Sequence, residues 1–215
     1  MGFQSFPVPG KLYFKKGSLP IALRELKDVY HKNRVLIVTD EEMLHNGGIS
    51  PVTGALFELG IGYAVNHQHY DADCVICCGT ARTWETLPDG IPAILIPTTF
   101  DMTGMQQWLH AEMVILDEDM LRDDTPVSEV KHRILKAAQE SLRGENASDY
   151  TLSWAVQTMH LLRKDAPSRS TLLHAMALAG LAQAAGEPSS TETDLFADAA
   201  QALGVSEQAL RNANP

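Results

Sequence analysis

"SLPIALRELKDVY" (18–30) gives way within a few residues to "RVLIVTD" (34–40), and this pair decides the class of the fold. In the first stretch Leu19, Leu23 and Leu26 recur at helical spacing. Pro20 suits a first turn and Ser18 stands where an N-cap belongs, so a helix is expected. The second stretch is apolar without alternation. Such a strand is covered on both faces, the situation of a parallel sheet under helices. Working outward, "VTGALFELG" (52–60) reads as helix. "IGYAVN" (61–66), "DCVICCG" (73–79), "PAILIPTT" (92–99) and "EMVILD" (112–117) read as strands. Alternation of this kind argues for a mostly parallel α/β sheet.

After Pro126 the texture changes. Residues 127–143, 147–163, 168–186 and 191–203 carry apolar residues at spacings of three and four, with Gly144, Pro167 and Gly186-Glu187-Pro188 as punctuation. Two parts are therefore expected, an α/β domain over 1–124 and an all-helical one over 125–215. The 215 residues, 45% hydrophobic and 20% charged, suffice for a packed core and argue against wholesale disorder. The net charge of −10 comes without a basic stripe longer than Lys15-Lys16, which excludes a nucleic-acid partner. No apolar run is long enough to cross a bilayer, and "MGFQSFPVPGK" lacks a signal core, so a soluble cytoplasmic protein without membrane contact is expected.

All three cysteines fall within residues 74–78, with His67 and His69 just upstream. C-x-x-C raises zinc and redox chemistry. On a strand, however, Cys74 and Cys77 point to opposite faces, and a redox pair would open a helix instead. Cysteine as a small apolar filler of a buried strand is the better reading. Trp84, Trp108 and Trp154 have no stacking spacing and read as packing groups. His110 and Gln106-Gln107 are candidates to line a cleft, without an assigned chemistry.

Five segments, "KLYFKKGSLPIALREL" (11–26), "RVLIVTDEEMLHNGG" (34–48), "AILIPTTFDMTG" (93–104), "AEMVILDEDML" (111–121) and "STLLHAMALAGLAQ" (170–183), together resemble the iron-containing alcohol dehydrogenase family. The likeness is greatest to the alcohol dehydrogenase half of bifunctional aldehyde–alcohol dehydrogenases. The resemblance implies a dinucleotide-binding α/β domain followed by an all-α domain, the dehydroquinate synthase-like architecture. It also implies NAD, a divalent iron or zinc ion, an alcohol or aldehyde substrate and a homo-oligomer. The departures are informative. Family helices are missing at "HQHYDA" (67–72) and at "TWETLPDG" (83–90), expected as a bare loop, and a hairpin is reduced to "FDMTGMQQWLHA" (100–111). The end of the helical domain is expected to be absent.

The family's glycine-rich phosphate turn corresponds to Cys77, Cys78, Gly79 and Thr80, where the cysteine side chains are expected to crowd the approach. Its downstream Asp and Lys correspond to Thr83 and Thr86. Asp40 matches an acidic position used on the adenosine ribose, and Thr98 and Thr99 match a pair lining the cleft. Asp40, Gly79, Thr80, Thr98 and Thr99 are thus the candidate NAD contacts. The alternative is that Asp40 caps the next helix and the threonines close a strand. The family's Asp-x-x-x-His metal pair falls on Ser128 and His132. His160 and His174 lie fourteen apart, but the resemblance puts His174 in the helix before the family's third ligand, so no metal ligand is carried over. Two readings follow. One is a shortened relative without metal-dependent catalysis that acts as a binding or assembly partner, as a homo-oligomer or with another protein. The other is an NAD-dependent alcohol–aldehyde oxidoreductase.

Overall fold

The computed structural model describes residues 9–67, 70–85, 87, 90–143 and 147–185. Contacts divide them into two compact units, one of residues 9–99 and 110–123, the other of 100–109 and 124–185.

The first unit is built on a six-stranded parallel sheet. In chain order it contains β1 (Lys11–Phe14), α1 (Leu19–Asp28), β2 (Arg34–Thr39), α2 (Glu41–His45), α3 (Ser50–Glu58) and β3 (Gly62–Val65). β4 (Cys74–Gly79), α4 (Ala81–Trp84), β5 (Ala93–Pro97) and β6 (Met113–Leu116) follow. The strand order is β1-β6-β5-β4-β2-β3. β4 is buried along its whole length, as a continuous apolar run requires. One face of the sheet packs Cys74, Ile76 and Cys78 of β4 and Ile94 and Ile96 of β5 into a core with Leu23 and Leu26 of α1 and Leu56 of α3.

Three local features differ from the sequence expectation. β1 pairs with β6 in register Lys11↔Met113 to Phe14↔Leu116, a short edge strand too mixed in pattern to stand out. "TWETLPDG" is not wholly a loop, because Thr83 and Trp84 complete the one-turn helix α4. Ser18 does occupy the N-cap of α1, but its side chain makes no capping bond there. The cap comes from Asp117, at the end of β6. Its Oδ2 accepts from the Leu19 N–H at 2.8 Å, and its Oδ1 from Gly17 at 3.0 Å and Asp119 at 3.1 Å. Asp117 is 1% exposed and the Leu19 N–H it serves is buried, so little water can replace it there. Asp117→Ala is therefore expected to destabilise the protein by about 2 kcal/mol, with Asn restoring part of the loss, as read from urea midpoints.

The second unit contains α5 (Val127–Ser141), α6 (Asp149–Leu161) and α7 (Arg169–Ala185). α7 is nearly all apolar along Leu172–Ala184, and such a helix must be covered on most sides. Residues 100–109 belong to this unit, with Met105 and Trp108 fully buried in it. The helix expected over 191–203 lies outside the described residues. No helix among those described is long and apolar enough to cross a membrane.

Candidate functional site

β2 leads outward to the edge strand β3, whereas β4, its other neighbour, leads through β5 toward the opposite edge. In an open parallel sheet, ligands bind beyond the carboxyl ends of strands at such a reversal. The residues beyond those ends are Asp40 after β2, Gly79 and Thr80 at the end of β4, and Thr98 and Thr99 after β5. The sheet thus brings all five candidate nucleotide contacts to one edge.

Their surroundings differ. Asp40 Oδ1 accepts from the Met43 N–H at 2.8 Å and caps α2. Capping and a ribose contact are compatible on one carboxylate. The end of β2 is held in place by Asn66, a residue that the sequence reading did not single out. Asn66 sits in the left-handed region at φ 48°, which asparagine tolerates better than most residues. Its Oδ1 accepts from the Thr39 N–H at 3.0 Å while its Nδ2 donates to the Thr39 carbonyl at 2.9 Å. Thr39 Oγ1 donates in turn to the Cys78 carbonyl at 2.7 Å, tying β2 to β4 at the reversal. The only advance signal was an asparagine directly after a strand.

Gly79 tells a different story. A Cβ built there would lie 2.5 Å from Thr83 Oγ1 and 2.9 Å from Thr83 Cβ. The hollow that a glycine leaves is therefore filled by Thr83. Thr80 is the N-cap of α4 and accepts at its carbonyl from the Thr83 N–H (2.9 Å) and the Trp84 N–H (3.3 Å), the first bonds of a helix only four residues long. One turn supplies little of the aligned N–H array and dipole that hold a pyrophosphate. Thr98 is 3% exposed, with its N–H on the Gly79 carbonyl (3.2 Å) and its carbonyl taking the Arg122 N–H (2.7 Å). Thr99 is half-buried. Thr86 and His69 lie outside the described residues.

The cysteines do not crowd this edge, contrary to the sequence expectation. Cys77 and Cys78 lie within β4 and point into the two covered faces of the sheet, each with no exposed surface. Burial pushes the Cys74 thiol up to about 12, helped by Asp73, and the Cys78 thiol up to about 12, helped by Asp40. Cys77 is pushed higher still, again mainly by burial. These are core side chains, held protonated.

No family model matches the chain. A stretch of 54 residues, 25% of this chain, is 44% identical to the bifunctional aldehyde-alcohol dehydrogenase AdhE of Escherichia coli and covers 6% of that protein. Among solved structures, the iron-containing alcohol dehydrogenase from Thermococcus thioreducens matches with a TM-score of 0.73 at 15% identity, over 98% of this chain and 84% of that one. An alcohol dehydrogenase from Oenococcus oeni gives 0.69 at 18% identity, over 86% and 67%. This chain has the iron-containing alcohol dehydrogenase fold. A maleylacetate reductase from Agrobacterium tumefaciens also shares it, with a TM-score of 0.66 at 18% identity over 88% and 67%. One fold thus carries more than one activity, and the fold alone names no substrate. The chain spans 64% of the Corynebacterium glutamicum iron-containing alcohol dehydrogenase it matches.

The metal positions implied by the iron-containing alcohol dehydrogenase likeness do not fit a divalent ion. Ser128 and His132 lie one turn apart on α5, so a hydroxyl stands where the family offers a carboxylate. Among the described residues, no three His, Cys, Asp or Glu side chains are grouped to hold a metal. His67, His110, Gln106 and Gln107 are exposed, and Trp84 and Trp108 are buried packing groups.

Proposed function

We propose that this chain is a shortened relative of the iron-containing alcohol dehydrogenases that has lost metal-dependent catalysis and works by association, as a cytoplasmic homo-oligomer or in a complex with another protein. Its architecture on this reading is a reduced nucleotide-binding-like α/β domain followed by an all-helical domain. The observation that carries the proposal is Thr83 in the hollow at Gly79. The turn that would cradle a pyrophosphate is spent on packing a four-residue helix. Ser128 at the carboxylate position of the metal pair points the same way. Association is supported by large exposed apolar side chains on α1, at its C-cap and on α3, where Ile21 is 61%, Val29 57% and Phe57 79% exposed.

The second reading, an NAD-dependent alcohol–aldehyde oxidoreductase, is favoured by one observation: Asp40 stands at the sheet reversal where a ribose would lie. Thermal unfolding with millimolar NAD or NADP separates the two. A site with hundredfold ligand excess gains about 2.7 kcal/mol, so a binder shifts its midpoint plainly. No shift with either nucleotide is expected. An NAD-selective shift abolished in Asp40→Asn establishes the second reading instead. Light scattering is expected to give a dimer or larger species, and a well-behaved monomer counts against association.

A further inference from the structure

The turn between α2 and α3 reads "HNGG" (45–48) and holds the one Asn-Gly step of the sequence. Asn46 is exposed and is the C-cap of the five-residue helix α2, at φ −88° and ψ 3°. Its Oδ1 accepts from the Gly48 N–H at 2.9 Å, whereas its Nδ2 makes no hydrogen bond among the described residues. The two other described asparagines are held differently. Asn66 has both amide atoms on Thr39, and Asn33 Nδ2 donates to the His31 carbonyl at 3.0 Å. The residues that follow them, Arg34 and His67, carry side chains, and the Arg34 N–H is held by Asp73 Oδ1 at 3.1 Å. Gly47 carries none, and its N–H reaches the Leu44 carbonyl only at 3.3 Å.

We propose that Asn46 is a self-modification site, at which the backbone nitrogen of Gly47 displaces the side-chain amide. Gly47 N bonds to Asn46 Cγ, the Cγ–Nδ2 bond breaks, and the proton from Gly47 leaves with Nδ2 as ammonia. Water then opens the cyclic imide at either carbonyl and leaves aspartate or isoaspartate at 46. Each step is a substitution at a carbonyl and calls for no oxidant or reductant. Three features of the turn favour it. The Gly48 N–H on Oδ1 draws electrons from Cγ, the leaving nitrogen has no bond to lose, and Gly47 has no Cβ to hinder its approach. Turning Asn46 from ψ 3° to bring the two atoms together gives up the long Gly47–Leu44 bond. Isoaspartate adds a carbon to the main chain just before Gly48, whose backbone is fitted closely to Met43. A Cβ there would lie 2.6 Å from Met43 Sδ and 2.8 Å from Cε. Met43 is buried in the sheet core and its N–H takes the Asp40 cap, so the lengthened turn loosens α2 and lowers the unfolding temperature.

The test is incubation of the full-length protein at pH 8 in heavy-oxygen water, followed by peptide mapping by mass spectrometry. Conversion at Asn46 with uptake of one heavy oxygen is expected. It should outpace Asn33 and Asn66 by roughly tenfold, the factor that about one hydrogen bond supplies. Asn46→Gln is expected to suppress both the acidic species and the fall in thermal midpoint on ageing. Asn46→Asp, which adds the charge without the extra carbon, is expected to keep most of the midpoint. Should Asn46→Gln fold poorly, the mapping of the unaltered protein still decides. An Asn46 that stays intact in the folded protein, while a peptide of residues 41–52 converts, overturns the proposal. So does conversion of Asn33 or Asn66 at a matching rate.

Discussion

Gly180→Ala is expected to lower stability by about 1–3 kcal/mol and Trp108→Ala by about 3–5 kcal/mol, while the double variant is no less stable than Trp108→Ala alone. Trp108 lies fully buried against α7, and a Cβ at Gly180 would stand 2.5 Å from its Cζ3 and 2.6 Å from its Cη2. Those atoms belong to a rigid ring inside a packed unit, so neither partner can yield cheaply. Glycine within a helix costs about 1 kcal/mol relative to alanine, and α7 accepts that cost to seat the indole. Once the indole is gone the penalty of the Cβ goes with it, and alanine then recovers its helical preference. The indole Nε1 is buried with no hydrogen-bond partner, so Trp108→Phe should cost much less than Trp108→Ala. Urea unfolding of the four members of the cycle decides the matter. Stabilisation by Gly180→Ala in the unaltered background would show that the ring is not seated as described.

This contact also marks where reading the sequence stops. The Ala-Gly step in "STLLHAMALAGLAQ" was visible as a likeness, but its reason lies 72 positions away in a segment that the chain inserts between β5 and β6. What was legible followed from local periodicity. The continuous apolar runs at 34–40, 73–79 and 92–99 became central strands because a covered strand has no polar face to display. The three helical stretches through 186 became α5, α6 and α7 for the matching reason at period 3.6. What was hidden depends on distant partners. Asp117 caps a helix 98 positions earlier, Thr83 fills the hollow at Gly79, and Asn66 clamps the end of β2. At the candidate site, likeness selected Asp40 and Gly79, but only the geometry shows that Asp40 caps α2 and that Thr83 fills the hollow at Gly79.

The three cysteines should make the fold sensitive to alkali. Each thiol is buried in β4 and held protonated, at about 12 for Cys74 and Cys78 and higher for Cys77. In the unfolded chain a thiol titrates near 8.5. Below that value both states hold their protons and the cysteines contribute no pH dependence. Above it the unfolded chain gives up protons that the folded chain retains, so stability falls as pH rises through the window from about 8.5 to 12. The slope approaches 1.4 kcal/mol per pH unit for each thiol, and three of them remove roughly 6 kcal/mol by pH 10. That is comparable with the whole stability of a small protein. Urea midpoints measured between pH 7 and 10.5 should therefore drop steeply above 8.5. A Cys74→Ala, Cys77→Ala, Cys78→Val variant, less stable at neutral pH for its lost packing, should show a much flatter alkaline limb. The same burial predicts no reaction of the native thiols with a disulfide reagent at pH 8, and reaction of all three once urea has opened the fold. Rapid labelling of Cys77 or Cys78 in the native protein would place that thiol outside the sheet core. It would also reopen the redox and zinc chemistry that the C-x-x-C spacing first suggested.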